Sequence, residues 1–183
     1  PRTTAWGSGG DCDLSGAAEG TTDNSYLRLY EMSGTQYSNP IVKSRTSRLR
    51  ILNSDQSCMY AQWCNNCVVE YTEAGFCGEH AFAGNADDIL YDHLYGHDVA
   101  NPLNGGYGLE IFAGTGATHG NQTGTVASNN LFERVKKGIW IYSSEKGLTR
   151  TTIKGNTVRN TRYGSTPGTS LASCIAVGGA AGG

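Results

Sequence analysis

The chain has 183 residues, 38% of them apolar and 16% charged, with a formal net charge of −2 at pH 7. That length supports one domain with a core. The scattered, near-neutral charge speaks against a nucleic-acid partner, and no apolar run approaches the roughly 18 residues of a membrane span. Glycine is abundant at 26 residues and proline scarce at 4. No window carries a 3.6-residue apolar period, so short strands and many turns are expected, not helices.

The chain begins at Pro1 and shows no signal-peptide pattern, which reads as a processed mature form or a fragment. Residues 1–24 are rich in Gly, Ser, Thr and Asp and read as an irregular N-terminal arm, either tethered through Cys12 or a flexible tail. Strands are expected within residues 25–32, 40–43 and 49–53. Leu49 and Ile51 alternate with Arg48 and Arg50, giving one buried and one wet face. Residues 57–78 hold Cys58, Cys64, Cys67 and Cys77 among Met59, Tyr60 and Trp63. With Cys12 and Cys174 the count is an even six. That pattern reads as disulfide bonding in an oxidising, secreted setting, with the pairing open. The spacing Cys64-Asn65-Asn66-Cys67 also raises a metal site completed by Cys58, Cys77 and His80, but disulfides are the better reading and no metal is expected.

Strands follow at residues 89–95 and 107–112. The Gly-rich loop 113–124 carries a glycosylation sequon at Asn121-Gln122-Thr123. Residues 124–160 then repeat a frame, in which a β-branched residue is followed by Asn and another apolar residue. Val126, Asn129 and Leu131 are matched by Ile153, Asn156 and Val158. Ile89, Asp92 and Leu94, and more loosely Val69, Thr72 and Ala74, extend the frame backwards. A second frame recurs as Leu109 and Ile111, Ile139 and Ile141, then Ile175 and Val177. Repeated strand–turn–strand units at uneven intervals are the signature of a solenoid, where only strands and tight turns must stack. Leu131 and Val158 are then expected in one inward column, with Asn129 and Asn156 in an amide ladder.

Through SNNLFERV, GNTVRN, GIWIY and YGLEIF, residues 40–178 resemble the right-handed parallel β-helix repeat family. The resemblance implies an all-β, short right-handed parallel β-helix of roughly five coils. The domain is placed at residues 25–178, after the arm at 1–24 and before a Gly/Ala tail at 179–183. It implies little about function, because the family spans lyases, hydrolases, phage fibres, adhesins and structural proteins.

The richest polar stretch runs from Asn85 to Asp98. Counted from the frame, Asp92 stacks near Thr72 and Asn129, His93 near Glu73 and Asn130, and His97 near Arg134. Glu73, Asp92, His93, His97 and Arg134 would share one edge, the best catalytic candidate. Against it, polar residues at solenoid turns ordinarily satisfy backbone groups. Trp140 and Tyr142 fall on the outer face of their strand and are candidates for stacking on sugar rings or a neighbouring chain. After Ser173 to Val177 no capping element follows. The end is read as stacked on another subunit, covered by the N-terminal arm, or truncated. The first expectation is therefore a secreted, non-catalytic structural protein joining copies of itself end to end. The alternatives are a polysaccharide lyase or glycoside hydrolase, with calcium only in the lyase case, and a carbohydrate-binding or adhesive module. No other cofactor is expected.

Overall fold

A computed structural model of the chain describes residues 27–29, 41–54, 56–99, 106–113, 122–143, 147–161 and 173–179. The architecture follows from a five-residue rhythm of corners. Lys43, Arg48 and Asn53 have positive φ, as do Asn66, Tyr71 and Phe76, then Asp88, His93 and Asp98, then Gly124, Asn129 and Arg134, then Arg150, Gly155 and Asn160. Each triple turns one coil three times. The left-handed conformation costs a non-Gly residue roughly 1–2 kcal/mol, and in the first four coils the stack offsets this by using each corner amide to reach the next coil. Lys43 N–H donates to the Asn65 carbonyl at 3.0 Å, Asn66 N–H to Asp87 at 3.1 Å, and Tyr71 N–H to Asp92 at 3.1 Å.

Between corners only three-residue strands fit. After β1 (Leu27–Leu29), the first coil holds β2 (Ile41–Val42), β3 (Arg45–Ser47) and β4 (Arg50–Leu52). The second holds β5 (Met59–Asn65), β6 (Val68–Glu70) and β7 (Glu73–Gly75), and the third β8 (His80–Asp87), β9 (Leu90–Asp92) and β10 (Tyr95–His97). The fourth has β11 (Tyr107–Ala113), β12 (Gln122–Thr123), β13 (Val126–Ser128) and β14 (Leu131–Glu133). The fifth has β15 (Lys137–Ser143), β16 (Leu148–Thr149), β17 (Thr152–Lys154) and β18 (Thr157–Arg159), and β19 (Ser173–Gly179) follows. Every inter-coil pairing is parallel, for example β8 with β11 and β13 with β17. The strands stack into one long sheet (β1-β5-β8-β11-β15-β19, with β2 beside β5), two five-stranded sheets, β17-β13-β9-β6-β3 and β18-β14-β10-β7-β4, and a two-stranded one, β12-β16. Counted as complete circuits, these five coils make a parallel β-solenoid of about four turns.

The core is a set of inward columns with large side chains set against gaps. In the long sheet Met59, Phe82, Leu109 and Ile139 lie in register. Ile139, Ile141 and β19 continue the frame read from Leu109 and Ile111, with Ile175 opposite Ile139 and Val177 opposite Ile141. Tyr91 is fully buried, and its hydroxyl occupies the place of a side chain at Gly84, where an added Cβ would lie 2.0 Å from it. The Phe132 ring fills the same role over Gly96 and Gly108.

One expected register is corrected. Val126 pairs with Leu90 and Thr152, and Ala127 with Tyr91 and Ile153. Likewise Leu131 pairs with Thr157, and Phe132 with Val158. Leu131 and Val158 therefore point to opposite sides, and Asn156 stacks with Asn130, not Asn129. Ile89 is buried at the corner while Tyr91 is the inward residue of its strand. A three-residue strand has one inward side chain, and the outward neighbours Val68, Leu90, Val126 and Leu131 are themselves apolar and half-buried. Alternation alone therefore leaves the frame ambiguous by one residue. The ladder itself is present. Asn130 donates its amide to the Tyr91 carbonyl at 3.1 Å and accepts from Leu94 N–H at 2.8 Å. One coil on, Asn156 donates to Ala127 at 2.9 Å and accepts from Asn130 N–H at 3.0 Å.

The disulfide expectation also narrows. Cys58 and Cys77 are joined, with Cα atoms 5.6 Å apart and a sequence separation of 19, tying the start of the second coil to its end. Cys64 and Cys67 are buried thiols, and Cys174 is an exposed thiol on β19. The first two flank the Asn66 corner and hydrogen-bond each other: that bond and burial push Cys64 up, while the same bond brings Cys67 down to about 7. The Cys12, N-terminal arm and residue 180–183 expectations lie outside the described residues, as does Asn121.

Candidate functional site

The expected polar edge divides between two corners. Asp92 and His93 occupy the corner after β9. Asp92 bonds His93 Nδ1 at 2.7 Å, and its other oxygen accepts from Ser128 Oγ at 2.6 Å and Asn129 Nδ2 at 3.0 Å. Desolvation opposes ionisation of Asp92, but these bonds outweigh it and lower its carboxyl. His93 stacks on the exposed ring of Tyr71, with centroids 4.8 Å apart. Its neighbours are thus Tyr71 and Asn129, where Glu73 and Asn130 were expected, and Asp92 aligns with Glu70 and Ser128 rather than with Thr72 and Asn129.

Glu73, His97 and Arg134 do come together, through the second short sheet. His97 Nε2 lies 3.2 Å from Glu73 Oε1, and its Nδ1 lies 2.9 Å from Asp98 Oδ2. Arg134 grips Asp98 with Nε and Nη2, both at 2.8 Å, and reaches Glu133 with Nη1 at 2.7 Å. Tyr95 and Arg159 complete the shell of Glu133, each at 2.6 Å. The Arg134 fork holds the Asp98 carboxyl down at about 2, and the Tyr95 hydroxyl with the two arginines does the same for Glu133. Each acid here has its partner, so the network's chemistry is charge neutralisation between coils.

A different cluster forms on the outside of the long sheet. Side chains added at Gly108 and Gly138 would run into the buried Phe132 and into Val158. Two consecutive residues, Gly108 and Leu109, thus face the core. Tyr107 before them and Glu110 after them face outward, and Lys137 and Trp140 repeat the arrangement one coil on. His80 stands opposite Tyr107 in register and stacks on it at 4.9 Å. Its Nε2 lies 3.3 Å from Glu110 Oε2 and 3.6 Å from Glu79 Oε1. His80 is buried, with its side chain 6% exposed, while Glu110 and Glu79 retain 17% and 35%. Its Nδ1 is buried with no hydrogen-bond partner.

Burial sets the electrostatics of this cluster. It pushes Glu110 up to about 7, helped by the neighbouring Glu79 and opposed by Lys137. It also raises Glu79, holds His80 down at about 3, raises Tyr107 to about 12 and lowers Lys137.

Beside the carboxyls runs an aromatic strip. Trp140 and Tyr142 are both half-buried and their rings nearly parallel, with centroids 5.9 Å apart and 18° between planes. Tyr107 lies 5.8 Å from Trp140, and Lys137 Nζ sits 3.4 Å from the Trp140 ring centroid. Tyr60 and Phe112 form a second pair at 6.1 Å. The expectation that Trp140 and Tyr142 share an outer surface agrees with this geometry. Glu79 and Glu110 were missed, and His80 was read only as a possible metal ligand, although for Glu110 a signal existed. The Leu109/Ile111 and Ile139/Ile141 frames place Glu110 and Trp140 in one outward column.

Among the described residues, no group of three or more His, Cys, Asp or Glu side chains is arranged to hold a metal ion. No helix among them is long and apolar enough to cross a membrane. Comparison of the chain with protein-family models, curated proteins and solved structures finds no match in any of the three.

Proposed function

We propose that this chain is a glycan-binding β-solenoid that takes a polysaccharide along the outer face of its long sheet. The observation carrying this reading is the Trp140–Tyr142 pair, two nearly parallel, partly exposed rings 5.9 Å apart, beside the Lys137 ammonium and the Glu79 and Glu110 carboxyls. Flat aromatic faces cover the apolar side of a sugar ring, while adjoining polar groups engage its hydroxyls. In this reading the protein works outside the cell, where the Cys58–Cys77 bond persists. Affinity electrophoresis in gels cast with neutral or uronate polysaccharides tests it. Trp140→Ala abolishes retardation, whereas Tyr71→Ala, which removes an exposed ring on another face, leaves it unchanged. Unretarded wild-type protein on every polysaccharide would remove the reading.

A second reading, end-to-end joining of copies, draws on Ile175 and Val177. They are 49% and 76% exposed, although they continue columns that are buried in the coils before them. The first and last coils oppose this, since Lys43 and Arg48 at one end and Lys154 at the other are exposed like charges. Joining would therefore strengthen with salt and be lost in Val177→Lys. Sedimentation showing a monomer at every salt concentration would sink it.

A further inference from the structure

We propose that Cys64 and Cys67 form a binding site for one monovalent soft cation of the copper(I) class, held between their two sulfurs beneath the Asn66 corner. The backbone departs from the plain coil to bring these thiols together. Met59 and Ala61 are the inward residues of β5, and strict alternation after Ala61 would turn Cys64 outward. Instead the register with β8 shifts, because Gln62 pairs with Asn85 but Asn65 with Asp87. The one extra residue on β5 is a β-bulge, and it turns Cys64 into the core, where it is 1% exposed. Asn66 then takes the left-handed corner at φ 55°, and Cys67 re-enters the core beside Cys64, equally buried. The two thiols hydrogen-bond each other. Asn66 between them is exposed, so the pair lies just under the surface, where opening of a single corner admits an ion.

Two hydrogen-bond donors face the sulfurs. Tyr91 is buried in the same core, and its hydroxyl has no hydrogen-bond partner. That hydroxyl fills the side-chain place of Gly84, whose register partner is Ala61, and it is near enough to both sulfurs for their charge to oppose its own ionisation. A buried hydroxyl left bare is costly, and a thiolate is the acceptor that would satisfy it. From the first coil the Ser44 N–H also donates to the Cys67 sulfur. The number and kind of ligands then select the ion. Zinc closes its structural sites with four ligands. Among the described residues no third His, Cys, Asp or Glu joins the pair, and Cys58 and Cys77 are bonded to each other. Calcium and magnesium take oxygen ligands. Thiolates select copper(I), a d10 ion that two sulfurs satisfy, and the surrounding Val69, Ala86 and Ile89 suit a weakly hydrated ion better than a divalent one. Binding is a proton exchange without electron transfer. Each thiol releases its proton to solvent, each sulfur bonds the cation, and the single negative charge of the product faces the Tyr91 O–H and the Ser44 N–H.

The test titrates copper(I) into the full chain carrying Cys174→Ser, so that the exposed thiol on β19 does not compete. Ascorbate keeps the copper reduced and leaves the Cys58–Cys77 bond intact. The expected result is one copper per chain by native mass spectrometry, an ultraviolet thiolate-to-copper charge-transfer band, and a melting temperature that rises with added copper. Cys64→Ser and Cys67→Ser each lose the band. Tyr91→Phe separates ligand support from packing: it weakens copper binding by ~10-fold, as loss of a group that supports the ligands does, while the metal-free protein melts no lower, because the orphaned hydroxyl is gone. A titration that develops no band overturns the proposal. So does a band that survives Cys64→Ser, a Tyr91→Phe variant with unchanged copper affinity, or recovery of Cys64 and Cys67 joined as a disulfide from protein never exposed to reductant.

Discussion

Replacing Asn130 with alanine isolates what the amide ladder contributes. The Asn130 residue is 1% exposed. Its side chain is the partner of two main-chain groups in the preceding coil, the Leu94 N–H at 2.8 Å and the Tyr91 carbonyl at 3.1 Å. Neither group reaches water once the side chain is gone. At about 1–3 kcal/mol for each buried group left without a partner, the pair amounts to roughly 2–6 kcal/mol. In a chain of this size that is a drop of about 5–20 °C in melting temperature. Asn129 next door is the internal control. It is exposed, sits at φ 54°, and makes one amide contact to Asp92 at 3.0 Å, while the equivalent corner of the next coil is Gly155 at φ 63°. Asn129→Gly relieves the left-handed strain it forfeits in contacts, so its net effect stays within about 1 kcal/mol. Urea unfolding followed by far-ultraviolet circular dichroism measures both, with the denaturant slope checked for constancy. Equal losses in the two variants, or an unaffected Asn130→Ala, would refute the register on which this reasoning stands.

Phe132→Ala empties the space over Gly96 and Gly108 and costs ~3–5 kcal/mol by the same unfolding assay. Gly108→Ala is also destabilising, because its Cβ would stand 2.4 Å from Phe132 Cδ1 and 2.6 Å from the Gly138 carbonyl oxygen, which the stacked backbone holds in place. The folded values of Asp98 and Glu133, about 2, lie below their ordinary 3.8 and 4.5. Their contribution is therefore present above those ordinary values and is lost as pH falls through about 2; melting temperature against pH shows this acid limb, and Arg134→Gln shallows it. Glu110 has the opposite sign. With a folded value of about 7 above its ordinary 4.5, its contribution is present below 4.5 and lost as pH rises through 7, so Glu110→Gln flattens that interval. Alkylation mapped by mass spectrometry labels Cys174 in the native state and spares Cys64 and Cys67 until unfolding. Reduction of the Cys58–Cys77 bond, whose sequence separation is 19, lowers stability by about 3 kcal/mol on the chain-entropy account.

The amino-acid sequence alone determined the kind of fold and the register of its long strands. Leu109 and Ile111, Ile139 and Ile141, Ile175 and Val177 alternate over runs long enough to repeat the inward choice, so they align as read. The same alternation identified Trp140 and Tyr142 as outward. It could not align the short strands, where one inward residue per strand leaves neighbouring frames equally apolar. Nor did it reveal the five-residue corners, because Lys43, Tyr71, Phe76 and His93 adopt a conformation that local preference assigns to glycine, and only the neighbouring coil's carbonyls make it worthwhile. That Glu79 and His80 meet Glu110 is decided by the tertiary structure. These residues come from adjacent coils, and what distinguishes them from ordinary surface acids is burial, a property of how coils stack rather than of which residues follow one another.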